Sequence, residues 1–339
     1  MGKDLGIALI GAGFIGSVHA RCVQENPRTH ISSIYDVDRA TADHLAARHA
    51  ARTADSLEEA IAQADAVIIG TPADTHGDIA RLCIRHTTPF MCEKPLDTDI
   101  DSAMLTARMA REANVFAGMG LNRRFDDHYR LLHQAVENGN LGNLELILMT
   151  SRTQSLPKLE YVAKSGGQLR DKGAHWFDLV CWLTDDRPAQ IYVQGACLID
   201  KRFADHGDVD TAVISMEMGR GAFCQMNFSR RTAYGYDERI EIAGSEGMMQ
   251  ASPPIPVNVA LYRGETITTR GVHQNWYPRV QNTYPAQLDS FVDALAGNGD
   301  FPTLIDGLVA EIIAAAGNRS LKENRPIPIA YDRIEELET

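Results

Sequence analysis

The chain of 339 residues is longer than one hydrophobic core usually spans, so two domains are expected. An apolar share of 44% and a charged share of 23% exclude a disordered or fibrous class. A formal net charge of −12, with lysine and arginine scattered, argues against nucleic acid or an anionic membrane as partner.

The N-terminal run MGKDLGIALIGAGFIG is cut by glycines and leads straight into a folded motif. It has neither a signal-peptide cleavage region nor the roughly eighteen apolar residues of a membrane span. Cys22, Cys83, Cys92, Cys181, Cys197 and Cys224 lie far apart with no C-x-x-C pair, which favours reduced thiols over zinc or a disulfide framework. Both features predict a cytoplasmic protein.

Residues 5–10 (LGIALI) predict one buried strand, and GAGFIG follows at once, with a helix from Phe14 to about Gln24. Gly11 permits a tight turn, Gly13 lets backbone approach a pyrophosphate, and Gly16 lets the helix pack on the strand. Gly11, Gly13, Phe14, Ile15 and Gly16 are thus the predicted phosphate site, at a helix N-terminus with free N–H groups. The next apolar run, HISSIYD, ends in Asp36, where a carboxylate would take the adenosine ribose hydroxyls and repel a 2′-phosphate. NAD is therefore expected over NADP, although Arg39 could swing in to pair with that phosphate.

Strand-like runs then recur at 65–71, 88–94 and 114–120, with helical stretches at about 39–49, 57–62, 76–86 and 99–113. Asp55-Ser56-Leu57-Glu58-Glu59 reads as a helix start with an acidic first turn. Strands alternating with helices predict a doubly wound parallel sheet, whose ligands bind outside the carboxyl ends of the strands. Those ends carry Thr71, Pro72 and His76, then Glu93, Lys94 and Pro95, then Asn122, Arg123 and Arg124. Thr71, Pro72, His76, Glu93 and Lys94 are read as cofactor-side residues; a surface helix-start role for His76 stays open. Lys94 follows a buried run and precedes a proline that restricts its backbone, which marks a placed ammonium.

Further along, GGQLRDKGAHWFDL (166–179) sets Asp171 and His175 four residues apart, and Asp178 three further on. On a helix that spacing puts carboxylate and imidazole on one face, about 6 Å apart at Cβ. Histidine titrates near pH 6.5 when unperturbed, which suits general acid/base work.

GAGFIG with Asp36, TPADTH, EKPL, NRRFD and the GGxxxDxxxHxxD stretch together resemble the Gfo/Idh/MocA oxidoreductases over essentially the whole chain. Within that family the sequence, including YGYDERIEIAGSEG (234–247), is most similar to the inositol 2-dehydrogenase branch. The resemblance implies that Lys94 reaches both cofactor and substrate hydroxyl, and that Asp171 and His175 are the acid and the catalytic histidine. Arg123 and Asp178 match substrate-side or site-shaping positions, and a cis bond is implied at Lys94–Pro95. Thr153 and Tyr236 complete the expected substrate set, with Tyr284 a weaker candidate. Two departures from the branch pattern, Trp176 in HWFD and Thr153 in Ser151-Arg152-Thr153, are expected near the substrate.

The predicted class is α/β. An NAD-binding Rossmann domain spans 1–122, and an α+β domain with an open, mainly antiparallel sheet spans 123–339, serving substrate binding and oligomerisation. In the second domain Phe125, Tyr129, Leu132 and Val136 predict a packed helix. LELILMTS, IYVQGACLI, DTAVISMEM, AFCQMNFS, RIEIAG and VNVALYR predict strands, helices are expected at about 284–297 and 304–317, and Arg325-Pro326-Ile327 could return as an edge strand. Subunit pairing through the sheet, giving a dimer or tetramer, is the family's usual cover for its open face. The expected activity is NAD-dependent oxidation of a secondary alcohol on a cyclic polyol, most simply myo-inositol, with no metal because Lys94 supplies the positive charge. A dehydrogenase acting on a pyranose, anhydrosugar or glycoside is the first alternative. A dinucleotide-binding regulator is the second, and the presence of lysine, acid and histidine speaks against it.

Overall fold

The structure, a computed structural model, describes residues 4–257 and 259–338, apart from the side chain of Lys164. The chain forms two compact units, one of Met1–Phe125, Thr283–Glu311 and Tyr331–Thr339, the other of Asp126–Asn282 and Ile312–Ala330. The boundary falls three residues beyond the expected 122/123 division, and the first unit also takes in two C-terminal segments that this division gave to the second.

In the first unit, strands β1 (Leu5–Ile10), β2 (Thr29–Tyr35), β3 (Ala66–Ile69), β4 (Phe90–Glu93) and β5 (Ala117–Gly120) pair in parallel in the order β2-β1-β3-β4-β5. Ile7–Ile10 and Ala66–Ile69 are at most 2% exposed, as strands covered on both faces must be. Helices Phe14–Glu25, Arg39–Arg48, Leu57–Ala62, His76–Arg85 and Ile100–Glu112 make the crossovers. The predicted start at Ser56 is a side-chain cap, in which Ser56 Oγ accepts from Glu59 N–H, while Glu59 Oε2 accepts from Asp55 N–H. Strand order reverses between β1 and β3, the switch point at which such sheets open a crevice.

The added C-terminal segment packs through aromatics. Phe291 and Phe301 lie 5.8 and 6.3 Å from Phe116, and Arg124 pairs with Asp306 at 2.8 Å.

The second unit holds β6 (Leu144–Arg152), β7 (Pro188–Ala196), β8 (Thr211–Met218), β9 (Phe223–Ser229), β10 (Asp237–Gly244) and β11 (Gly247–Ala251). A hairpin of β12 (Ala260–Arg263) and β13 (Thr266–Thr269) stands apart, and β14 (Ile327–Pro328) closes one edge of the main sheet. Its order is β11-β10-β6-β9-β8-β7-β14, antiparallel except for the parallel β6–β9 pair. VNVALYR keeps only its last four residues as strand, and Asn258 within it lies outside the described residues.

Burial alternates along these strands. Ile147, Met149, Ile214, Met216, Met226 and Ile240 are buried, whereas Leu146, Val213, Phe223 and Met248 on the opposite face are 39–61% exposed. The register sets Phe223 beside Leu146, Leu146 beside Ala243, and Ala243 beside Met248, so the exposed face carries an apolar strip.

Candidate active site

The glycine turn of the first unit is built by close approach. Gly11 has φ +101°, and a Cβ there would lie 2.7 Å from the Gly70 carbonyl oxygen; a Cβ on Gly16 would lie 2.0 Å from that of Gly11. At Gly13, by contrast, a Cβ would meet nothing within 4 Å. Gly13 is the N-cap of helix Phe14–Glu25, which has no side-chain cap and no acid in its first turn. Its leading N–H groups therefore face open space suited to a pyrophosphate, and the residues fit a dinucleotide. Phe14 is exposed and Ile15 half-buried in this first turn.

Asp36, just past β2, is anchored beside this turn. Its Oδ2 accepts from Ala12 N–H at 2.8 Å and its Oδ1 from Asp38 N–H at 2.9 Å. A carboxylate oxygen has a second lone pair, so both oxygens remain able to take ribose hydroxyls. Arg39, the residue that could have admitted a 2′-phosphate, donates to Asp55 at 2.8 Å and Asp43 at 3.1 Å. These partners hold its guanidinium and raise its pKa above the ordinary value.

Thr71 and Pro72 follow β3, with Thr71 half-buried and Pro72 exposed. His76 is 2% exposed, which removes the surface reading. Its Nδ1 lies 2.6 Å from the Pro95 carbonyl oxygen and its Nε2 2.8 Å from that of Thr71. The ring thus ties the end of β3 to the loop after β4. Glu93 ends β4 with Oε1 2.8 Å from His19 Nε2, and His19 meets the ring of Tyr284 edge-on at 5.5 Å. Lys94 follows, half-buried, and the Lys94–Pro95 bond is cis. Arg123, 5% exposed, sits in the turn Asn122–Phe125, and Asn122 donates to Thr283 at 2.9 Å.

In the second unit the motif stretch forms two helices, Gln168–Asp171 and Gly173–Thr184, that meet at Lys172. Gly166 and Gly167, at φ +73° and +87°, turn the chain into the first of them through backbone that L-residues rarely adopt. Asp171 is fixed from two sides: Tyr161 Oη donates to its Oδ1 at 2.8 Å, and Arg230 Nη1 lies 3.9 Å from its Oδ2. Arg230 in turn donates to Asp208 at 2.9 Å, and Asp208 accepts from the N–H groups of Gln168 and Val209. Burial, then the Asp171 carboxylate, push the Tyr161 phenol up, so it stays a donor. Lys172 Nζ donates to the carbonyls of Ser151 at 2.9 Å and Ser229 at 3.0 Å.

His175 is half-buried, and Asp178 is 2% exposed on the same helix. Trp176 is 1% exposed and lies 6.5 Å from the Tyr129 ring and 6.4 Å from that of Phe228. That corrects the expectation for Trp176, because its indole is core packing and not a substrate-facing group. Thr153 bonds the end of β9 through its N–H, at 3.0 Å from the Ser229 carbonyl oxygen. Tyr236 is 5% exposed and donates to Glu238 at 2.7 Å. Glu238 belongs to a buried cluster with Arg279, which also pairs with Asp126.

Tyr161, Arg230, Asp208 and Lys172 had no sequence signal as site residues. Tyr161 lies ten positions before Asp171, and Arg230 and Asp208 reach it only through the sheet.

A parallel sheet with an open glycine turn, an acid just past β2 and a lysine after β4 defines an NAD-dependent oxidoreductase of the Rossmann class. Residues 5–121 match the oxidoreductase family with an NAD-binding Rossmann fold, and residues 129–250 match the GFO/IDH/MocA C-terminal domain. The chain belongs to the Gfo/Idh/MocA oxidoreductase family.

It is 35% identical to an inositol 2-dehydrogenase of Rhizobium meliloti over 325 residues, 95% of this chain and 98% of that one. Identity to a myo-inositol 2-dehydrogenase of Thermotoga maritima is 30% over 331 residues, again 95% and 98% of the two chains. The crystal structure of a myo-inositol dehydrogenase from Corynebacterium glutamicum superposes with a TM-score of 0.92 at 30% identity, covering 97% of this chain and 99% of that one.

Proposed function

We propose that the protein oxidises a secondary hydroxyl of a cyclic polyol, most simply myo-inositol or another inositol stereoisomer, to the keto-inositol. The observation that carries this reading is the Asp171 carboxylate, held by Tyr161 and Arg230 one helical turn before His175. Similarity along nearly the full chain to enzymes named for inositol supports the substrate class. The first unit holds NAD through the Gly11–Gly16 turn and Asp36, with Thr71, Pro72, His76 and Glu93 shaping its nicotinamide end. When bound, NAD supplies the hydride acceptor.

His175 takes the hydroxyl proton as general base, and Asp171 orients the imidazole and stabilises its protonated form. Lys94 holds the reacting oxygen and offsets its growing negative charge, a contribution that is largest where water is excluded. Arg123, Thr153 and Tyr236 shape the substrate side, and the second unit also carries the oligomer contact. The cytoplasm is the compartment in which NAD and reduced thiols meet. No described helix is long and apolar enough to cross a membrane.

The test of activity is NADH absorbance with a panel of inositol stereoisomers, pyranoses, anhydrosugars and glycosides. Turnover best with an inositol supports the reading, turnover only with another sugar replaces the substrate, and NAD binding with no turnover favours a regulator. The same panel with NADP tests Asp36. Loss of a hydrogen bond to a charged group costs about 1.5–3 kcal/mol, so Asp36→Ala should raise the KM for NAD by about tenfold or more. An unchanged KM, or a wild-type preference for NADP, would refute that role.

The apolar strip of Phe223, Leu146 and Met248 supports a homo-oligomer, a dimer or tetramer, formed through the open sheet face. Phe223→Glu should shift the sedimentation of the protein toward monomer. A wild-type chain that sediments as a monomer at micromolar concentration would count against this assembly.

A further inference from the structure

We propose that Lys172 is a positioning residue of the Asp171–His175 pair, fixing the turn between their two helices to the ends of β6 and β9 and setting the charge against which both groups work. The inference rests on the reading of this stretch as the acid/base site. Lys172 keeps helical backbone angles, φ −81° and ψ −44°, where the two short helices meet, and points its side chain at the sheet. Its Nζ bonds carbonyls from both strands of the parallel pair, Ser151 at 2.9 Å and Ser229 at 3.0 Å, and lies 5.7 Å from the centre of the Phe228 ring. Because β6 and β9 run in the same direction, both carbonyls lie at the same end of the sheet. One side chain therefore ties the segment carrying Asp171 and His175 to both strands.

Four charged groups act on this amine: Asp171 on its own segment, Arg152 at the end of β6, Arg230 just beyond β9, and Glu238 on β10. Loss of water is the largest influence on it. Arg230 also disfavours its charge, Glu238 and Asp171 favour it, Arg152 disfavours it, and the balance brings the amine down to about 7. A neutral amine still has two N–H groups for two carbonyls. Deprotonation therefore leaves both hydrogen bonds in place and changes only the field at Asp171 and His175. A charged Lys172 weakens the hold of His175 on a proton, and a neutral one strengthens it.

Stability has the opposite bookkeeping from a paired lysine. Between about pH 7 and the unfolded value near 10.5 the folded chain binds fewer protons at this site than the unfolded chain. The folded state therefore gains with rising pH across that window, up to about tenfold in its folding constant per pH unit.

The experiment compares the wild-type chain with Lys172→Met and Lys172→Gln. The second variant keeps N–H donors without charge, in case the first does not fold. In either variant the acid limb of kcat/KM for inositol oxidation should move to higher pH, and the wild type should gain melting temperature on the variant from pH 7 to 10. Parallel melting curves would show a lysine that does not titrate in this window. Diverging curves with an unmoved acid limb would show a lysine that titrates without acting on the site. Each of these results overturns the proposal. A wild-type chain with no polyol turnover would instead reject the acid/base reading, and the melting curves alone would then decide the titration of Lys172.

Discussion

Replacing His175 with alanine should lower turnover by about 10²–10⁴-fold, the usual contribution of a positioned general base, while the affinity for NAD stays within about twofold. The asymmetry follows from where the groups sit. The Gly11–Gly16 turn and Asp36, proposed to take the phosphates and ribose, belong to the first unit, and His175 belongs to the helix Gly173–Thr184 of the second. Loss of His175 should remove the proposed proton acceptor and leave the glycine turn as it was. The helix should survive as well, because alanine favours it and its buried face is held by Trp176, Phe177, Leu179 and Val180. Fluorescence titration with NADH together with steady-state kinetics checks both halves. Near-wild-type turnover would remove His175 from the mechanism, and lost NADH binding would mean that the substitution had damaged more than the base.

The second large effect is expected at Lys94. Lys94→Ala should cut turnover by about 10²–10³-fold, the range seen when one stabilising group is removed from a developing oxyanion. It should also raise the KM for the polyol, since the proposed role has the same ammonium hold the hydroxyl before reaction. Lys94→Arg should restore little, because a planar guanidinium does not present its charge where an ammonium does. The surrounding frame makes this a clean test: His76 fastens the loop after β4 to Thr71, and Glu93 is held by His19, so neither anchor uses the Lys94 amine. Steady-state kinetics that found KM alone altered would reduce Lys94 to a binding residue.

The first five strands were legible because each is a short apolar run closed by glycine, proline or a charge, and a strand buried on both faces needs nothing more. The glycine turn was legible for a related reason, since close backbone approach leaves no alternative residue at Gly16. Elements held by partners distant in sequence were not. The hairpin strand Thr266–Thr269 is fully exposed and has no apolar period to read. Helix Thr283–Leu295 looked like part of the second domain because only the fold brings Phe291 to Phe116.

The site shows the same division. Asp171 and His175 became candidates through their spacing together with the family resemblance. Tyr161, Arg230 and Asp208 could not, because they approach Asp171 from another helix and from the ends of the sheet. Trp176 was expected near the substrate because its neighbours in sequence are candidate site residues. Its neighbours in space are Tyr129 and Phe228, aromatic rings of the core.

The most direct measurement is hydride tracing with myo-inositol deuterated at the carbon that bears the oxidised hydroxyl. Incubated with NAD and the protein, it should yield NADH carrying one deuterium, an equal amount of keto-inositol, and a slower rate than the unlabelled polyol. NADH without deuterium, or no NADH with any inositol stereoisomer while NAD still binds, would contradict the assignment of this chain as an inositol-oxidising enzyme.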